Sequence, residues 1–364
     1  MGLFSAFRKS DSAPIPDRPD LLGRKIKIGV VGVGHLGQHH ARNYAQNPRC
    51  ELVFVCDANE NQAKQHAKQW NARHTTRIED LMGEVDAVSI ATPTVSHFEI
   101  ASKFLQNGVH CLVEKPITTT VADAAELTRL ARENKLVLQV GHIEHFNVAV
   151  QKFKEILTTP RFIECHRQGP FDPRVKDVGV VLDLMIHDID IILRIVNSPI
   201  VKIEAVGVAI LTEKEDIANA RLHFQNGCIA NVTVSRVTPK PLRKLRVFQD
   251  DAYISLDYRN QTMEVFRRRN RTDKAKPGEP PYFIESNEIK VQSVEPLKLE
   301  LDHFLQCIEN QILNPQTTGE QAMQALNIVT QITNMIRSTT VPFPVMNPPI
   351  VDAPDVPEGE PQQS

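Results

Sequence analysis

From Lys25 to about Gly141, short apolar runs alternate with stretches whose apolar residues recur at helical spacing. The runs at 26–31, 52–56, 87–91, 110–113 and 136–140 read as buried strands. Between them, 96–108 reads as a helix, with Ser96 and Glu99 as a capping box and Gly108 at its stop. Residues 121–133 read as another, because Ala124, Leu127, Leu130 and Ala131 fall on one face. Strand and helix in alternation predict a parallel sheet covered on both sides.

After about Phe146 the pattern changes. A helix over 148–157 and a very apolar helix over 180–196 precede strand-like runs at 203–211, 218–224, 229–237, 245–248, 253–258 and 263–267. Gln225-Asn226-Gly227 suits a hairpin between antiparallel neighbours. Two further helical stretches occupy 298–311 and 319–337. The expected fold class is α/β: an N-terminal Rossmann dinucleotide-binding domain, then an α+β domain with a mainly antiparallel open sheet. The expected divisions are a flexible segment at 1–23, the Rossmann domain at 24–145, the second domain at 146–340 and a disordered Pro-rich tail at 341–364.

Composition narrows the classes. A chain of 364 residues suits two domains, and 41% hydrophobic residues argue against a largely disordered one. With 42 basic and 44 acidic residues there is no footprint for general nucleic-acid or membrane binding. No run approaches the roughly 20 apolar residues of a membrane span. The first residues lack a secretory core, being broken by Pro14, Pro16 and Pro19. The six cysteines are scattered, so reduced, buried thiols in a cytoplasmic protein are expected.

Candidate chemistry begins at Gly32-Val33-Gly34-His35-Leu36-Gly37, directly after the first strand. Gly32 permits the turn, Gly34 lets a pyrophosphate approach, and Gly37 lets the helix pack closely. The helix starting near His35 presents amides and a positive dipole end to phosphates. Asp57 ends the second strand about 20 residues beyond Gly37, where a carboxylate accepts from ribose hydroxyls and repels a 2′-phosphate. No arginine follows it, so NAD is the expected cofactor rather than NADP.

Two further segments can carry acid–base work. Val113-Glu114-Lys115-Pro116 ends a parallel strand, where ligands of open α/β sheets sit. In the apolar helix, Asp183, His187, Asp190 and Arg194 recur at steps of four, three and four and so share one face. Such a polar stripe needs either a self-satisfying network or a ligand. His142 and His145 are three apart, but no carboxylate–histidine pattern completes a zinc site, so no metal is expected.

Gly-x-Gly-x-x-Gly, then Glu-Lys-Pro, then Asp-x-x-x-His in an apolar helix resembles the glucose-fructose oxidoreductase/inositol dehydrogenase/MocA family. The resemblance covers about 25–337. It implies that Lys115, Asp183 and His187 are catalytic: His187 as general base, Lys115 polarising the reacting oxygen, and Asp183 orienting one of them or the substrate. It also places Ala91-Thr92-Pro93 and His97 beside the nicotinamide ribose and pyrophosphate, with Glu114 and Lys115 completing the cofactor site. Gly141-His142-Ile143-Glu144-His145-Phe146-Asn147, Arg167-Gln168-Gly169-Pro170-Phe171 and 216–222 resemble the branch acting on nucleotide-linked sugars. His145 and Val148 depart from that branch's Arg and Pro.

That branch implies oxidation of the C3 hydroxyl of UDP-N-acetylglucosamine, so that a partner aminotransferase can install an amine on the way to a lipid A precursor. His142, Glu144, Asp183 and His187 are then substrate-side candidates. For the two phosphates, basic residues come from either of two groups: Arg167, Arg174 and Lys176, or Arg236, Lys240, Arg243 and Lys244. The family also implies a homodimer or homotetramer through the open sheet face. The competing readings are a dehydrogenase of a free sugar or cyclitol, and a non-catalytic dinucleotide sensor.

Overall fold

The structure is a computed structural model that describes residues 23–175, 177–271 and 280–339. The N-terminal segment, apart from Gly23, and the Pro-rich tail lie outside the described residues. The first sheet contains β1 (Ile26–Val31), β2 (Cys50–Cys56), β3 (Arg73–Thr75), β4 (Ala87–Ile90), β5 (His110–Glu114) and β6 (Leu138–Gly141). Its order is β3-β2-β1-β4-β5-β6 and every pairing is parallel. The order reverses between β1 and β4, so the crevice outside their carboxyl ends is where a ligand belongs. Strands β4 to β6 are buried at every position, which is why they read as unbroken apolar runs.

The helices of this half are α1 (Gly37–Ala45), α2 (Glu60–Trp70), α3 (His97–Gln106) and α4 (Val121–Glu133). The apolar pattern missed α2 because it buries only Ala63 and Ala67; the Asn59 side chain caps it by accepting from the amides of Asn61 and Gln62. The expected capping box at Ser96 does not form. A short 3₁₀ turn, Thr94–Ser96, leads into α3, and the Ser96 hydroxyl donates to Thr92 Oγ1 and the Pro93 carbonyl instead.

The second half begins with α5 (Val148–Ile156) and β7 (Pro160–Gln168), then a π-helical turn, Val181–Met185, leading into α6 (Ile186–Val196). It continues through β8 (Ile200–Val208), β9 (Ile217–Phe224), β10 (Ile229–Ser235), β11 (Leu242–Gln249), β12 (Ala252–Asp257), β13 (Thr262–Asn270) and β14 (Tyr282–Lys290). These strands order as β14-β13-β12-β11-β7-β10-β9-β8, antiparallel except where β7 meets β10. Strands β7 and β14 escaped the sequence pattern because charged and polar residues (Glu164, Arg167, Glu285, Glu288) interrupt their alternation.

Helix α6 packs on β7 and β10. The opposite sheet face carries a row of Phe162, Phe248, Tyr253 and Phe266, with neighbouring ring centroids 5.7, 4.8 and 5.5 Å apart.

The last helices, α7 (Pro296–Glu309) and α8 (Gly319–Thr339), tie the halves together. Leu297, Leu301, Phe304 and Leu305 of α7 join Ile26, Ile28, Val30 and Tyr44 in the core on one face of the first sheet. Helix α8 packs against α4 and α6 at once.

Close packing also fixes the glycine turn. Gly32 has φ +84°, and a Cβ there would lie 2.8 Å from the Thr92 nitrogen. A Cβ on Gly37 would lie 1.8 Å from the Gly32 carbonyl oxygen, whereas one on Gly34 meets nothing within 4 Å. Gly37→Ala is therefore expected to cost at least about 1–3 kcal/mol in urea unfolding. Gly34→Ala should stay within about 0.5 kcal/mol of the parent. Equal losses in the two would contradict this account of the turn.

Candidate active site

At the cofactor end, Asp57 bridges the glycine turn and the second strand. Its Oδ2 accepts from the Val33 amide at 2.9 Å and its Oδ1 from the Asn59 amide at 2.8 Å. It remains half-buried, so the carboxylate can still meet a ribose hydroxyl. Gly34, His35 and Leu36 are exposed, and α1 directs its first-turn amides into the same space. An open glycine, a helix N-terminus and an acid at the end of β2 fit a dinucleotide without rearrangement.

The Thr92-Pro93 loop is held from below. Buried His97 bonds through Nε2 to the Thr92 carbonyl at 2.8 Å and through Nδ1 to the Pro116 carbonyl at 2.9 Å. His97 thus sets the Thr92-Pro93 and Pro116 loops relative to each other. Glu114 also works from below: its carboxylate is buried, 3.0 Å from His40 Nε2, and it accepts from the Lys115 amide at 3.2 Å. His40 Nδ1 lies 2.7 Å from Ser89 Oγ, a buried link that apolar periodicity could not reveal.

A second polar cluster is assembled across 68 residues of sequence. Lys115, at the end of β5, donates through Nζ to Asp183 Oδ1 at 3.1 Å and to the Asp183 carbonyl at 2.9 Å. That carbonyl lies within the π-helical turn. One turn on, His187 is half-buried, and its buried Nδ1 has no protein partner. Burial, reinforced by the nearby charge of Lys115, holds the His187 proton affinity well below the ordinary imidazole range. Its neighbour His142 is buried, neither ring nitrogen is hydrogen-bonded, and burial likewise keeps it neutral.

The helical stripe expected from sequence divides in two. Asp183 and His187 stay with Lys115. Asp190 instead receives Arg194 Nη2 at 3.0 Å and pairs with His145 Nε2. Asp188, off that stripe, proves to be buried and engaged with an arginine.

The two buried arginines among the phosphate candidates are both engaged by protein groups. Arg167 gives Nε and Nη2 to Asp188 at 2.9 and 2.8 Å and Nη1 to Glu144 at 2.8 Å. Glu144 is thereby drawn into the same buried pair. Arg236 gives Nε to Asp216 at 2.6 Å, Nη1 to the Val175 and Val178 carbonyls, and Nη2 to Thr212. Both are paired within the protein, as a buried guanidinium must be. The side chain of Arg174 and the whole of Lys176 lie outside the described residues.

Arg243 differs. It sits directly across from Arg167 in the β11–β7 register, so both side chains share the helix-covered face. It is solvent-accessible, forms no ion pair among the described residues, and its charge reaches His187. Among the described residues no group of three or more His, Cys, Asp or Glu side chains is arranged to hold a metal. No described helix is long and apolar enough to cross a membrane.

This fold and this strand-end arrangement define an oxidoreductase built on a dinucleotide-binding domain. The chain belongs to the glucose-fructose oxidoreductase/inositol dehydrogenase/MocA family. Residues 26–142 match the oxidoreductase family with an NAD-binding Rossmann fold, and 140–255 match the GFO/IDH/MocA C-terminal domain. NAD is accordingly its cofactor. The chain is similar to UDP-N-acetylglucosamine 3-dehydrogenase of Acidithiobacillus ferrooxidans, 39% identical over 284 residues covering 78% of this chain and 88% of that protein. A solved structure of that enzyme superposes with a TM-score of 0.79 at 35% identity, covering 86% of this chain and 99% of the other. The NAD-dependent scyllo-inositol 2-dehydrogenase of Bacillus subtilis is 24% identical over 337 residues, 86% of this chain and 95% of that one.

The arginines give a direct test of these assignments. Arg167→Met strands two buried carboxylates and is expected to lower unfolding free energy by about 3–5 kcal/mol. Arg243→Met should change it by no more than about 0.5 kcal/mol. A large loss for Arg243→Met in urea unfolding would show that it, too, is a structural cation.

Proposed function

We propose that the protein oxidises the C3 hydroxyl of a UDP-linked N-acetylglucosamine to the ketone. The reading is carried by one juxtaposition: Lys115, fixed by Asp183, stands beside an imidazole that burial keeps neutral, with an unpaired arginine on the same face. Bound NAD supplies the hydride acceptor. Lys115 Nζ, already anchored on Asp183, holds the hydroxyl oxygen and stabilises charge on it as the carbonyl forms. His187, uncharged at neutral pH, takes the hydroxyl proton. Asp183 keeps the ammonium directed into the cleft rather than into solvent.

Arg243 is the cation available to the diphosphate, and a guanidinium fork suits phosphate oxygens. Similarity to the UDP-N-acetylglucosamine 3-dehydrogenase supports this substrate over a free sugar or cyclitol. The same reading includes an aminotransferase that consumes the ketone, a homo-oligomer joined through the aromatic sheet face, and a cytoplasmic setting in keeping with six free, buried cysteines.

Purified protein with NAD and UDP-N-acetylglucosamine should form NADH when an aminotransferase removes the ketone. Activity on free sugars with none on the nucleotide sugar would defeat the substrate assignment. Lys115→Ala and His187→Asn are each expected to lower kcat by about 10²–10⁴-fold while leaving NAD affinity near the parent value. Near-normal rates in both would defeat the mechanism.

The pH dependence has a definite sign. The base must be unprotonated, and its folded-state proton affinity lies well below the ordinary range. kcat/KM should therefore hold as pH falls through 6.5, the unperturbed value, and fail only in stronger acid. An acid limb centred at or above 6.5 would contradict the assignment of His187.

A further inference from the structure

The oxidation proposed above needs Lys115 at a set distance from the bound dinucleotide, and the following inference rests on that reading. Hydride passes only when the hydroxyl held by Lys115 meets the cofactor at contact distance, and a misplacement of about 1 Å costs about 10²-fold in rate. The dinucleotide rests on α1, which follows β1, whereas Lys115 leaves β5, two places along the sheet.

A buried polar ladder joins the two. His40 lies in the first turn of α1, just after Gly37, and is fully buried. Its Nδ1 is 2.7 Å from Ser89 Oγ on β4, and its Nε2 is 3.0 Å from Glu114 Oε1 on β5. The second carboxylate oxygen of Glu114 accepts from the Lys115 amide at 3.2 Å. On its far side the carboxylate lies against Gly141 of β6, where a Cβ would come within 2.8 Å of Oε2. One helix and three neighbouring strands therefore meet in this layer, at the strand ends that carry the site.

The charge state of the ladder follows from its surroundings. Although burial opposes it, Glu114 is held below the ordinary carboxylate range by His40 and by Lys115. An ionised carboxylate only accepts, so His40 Nε2 carries the hydrogen of that contact. Glu300 of α7, a neighbouring buried acid, is pushed up by burial and by Glu114 and stays protonated. Taking such a charge out of water offsets most of what its pairing returns, and apolar side chains of the same volume would serve stability as well. What apolar side chains lack is direction. Hydrogen bonds at both ends fix the carboxylate, and with it the Lys115 amide, to within about 0.5 Å.

We propose that His40 is a positioning residue for Lys115: acting through Glu114, it registers the catalytic ammonium to the helix that carries the dinucleotide.

His40 touches neither substrate nor reacting atoms, and no proton or bond change passes through it. Its influence reaches the chemistry through the backbone of Lys115. With that amide released, the side chain pivots about its contact with Asp183, and the hydroxyl oxygen it holds moves with it. Binding of NAD and of the nucleotide sugar draws on other groups, so the loss falls on kcat and spares KM.

The test is steady-state oxidation of UDP-N-acetylglucosamine by the NAD-bound protein, with an aminotransferase removing the ketone. His40→Asn, whose amide is too short to reach Glu114, should lower kcat by about 10- to 100-fold while NAD affinity and KM stay near the parent values. His40→Gln places an amide nitrogen near the Nε2 position and should recover most of that loss. Lys115→Ala supplies the control. Adding His40→Asn to it should lower kcat by no more than about twofold further, because the ladder then has nothing left to position. Losses that multiply in the double variant overturn the proposal, since a merely structural histidine weakens the enzyme whether or not Lys115 is present. Parent-like turnover in His40→Asn overturns it as well, as does equal impairment of the Asn and Gln variants. Should His40→Asn fail to fold, Ser89→Ala frees the other edge of the ring and carries the same comparison, with an expected loss of about 3- to 10-fold. A parent that forms no NADH, or a Lys115→Ala variant with a near-normal rate, would instead defeat the functional reading beneath this inference.

Discussion

Lys115 leaves the end of β5 and meets both the carboxylate and the carbonyl of Asp183, on a turn that belongs to the other sheet. Much else follows from holding that ammonium in place. It requires the π-helical turn that directs Asp183 toward it, the apolar helix α6 that carries the turn, and a rigid link between the two sheets. Helix α8 supplies the link by packing on α4 and α6 together. His97 and Glu114 then fix the backbone on either side of Lys115.

The surrounding interior obeys a second constraint: a charge removed from water must be paired. Arg167 is matched by Asp188 and Glu144, Arg236 by Asp216, and Asp190 by Arg194 with His145. Against that background the groups left without a hydrogen-bonded protein partner stand apart, namely His142, the buried nitrogen of His187 and the guanidinium of Arg243. Their want of partners is what fits them for a ligand.

Much of the fold could be read from the chain because burial on both faces leaves continuous apolar strands, and because a dinucleotide turn needs glycines at fixed offsets. The same logic failed where burial is achieved with small or polar residues. Helix α2 hides two alanines, and β7 carries Arg167 and Glu164 in the middle of its run. At the site, Lys115, Asp183 and His187 were visible as types in order, and the structure brings the first two into contact. The roles of the arginines were not visible, since a basic residue reveals nothing of its partner. Arg167 finds Asp188 across 21 residues and Arg236 finds Asp216 across 20. The steps of four and three along the apolar helix implied one polar face, but the π-helical turn divides its partners between Lys115 and the histidine pair.

The central claim is that a sugar hydroxyl reacts between Lys115 and His187. A crystal structure of the NAD-bound protein soaked with UDP-N-acetylglucosamine tests it most directly. The account predicts the C3 hydroxyl oxygen within about 2.6–3.2 Å of both Lys115 Nζ and a ring nitrogen of His187, with the diphosphate against Arg243. A pyranose ring lying with no hydroxyl in reach of either side chain would contradict it.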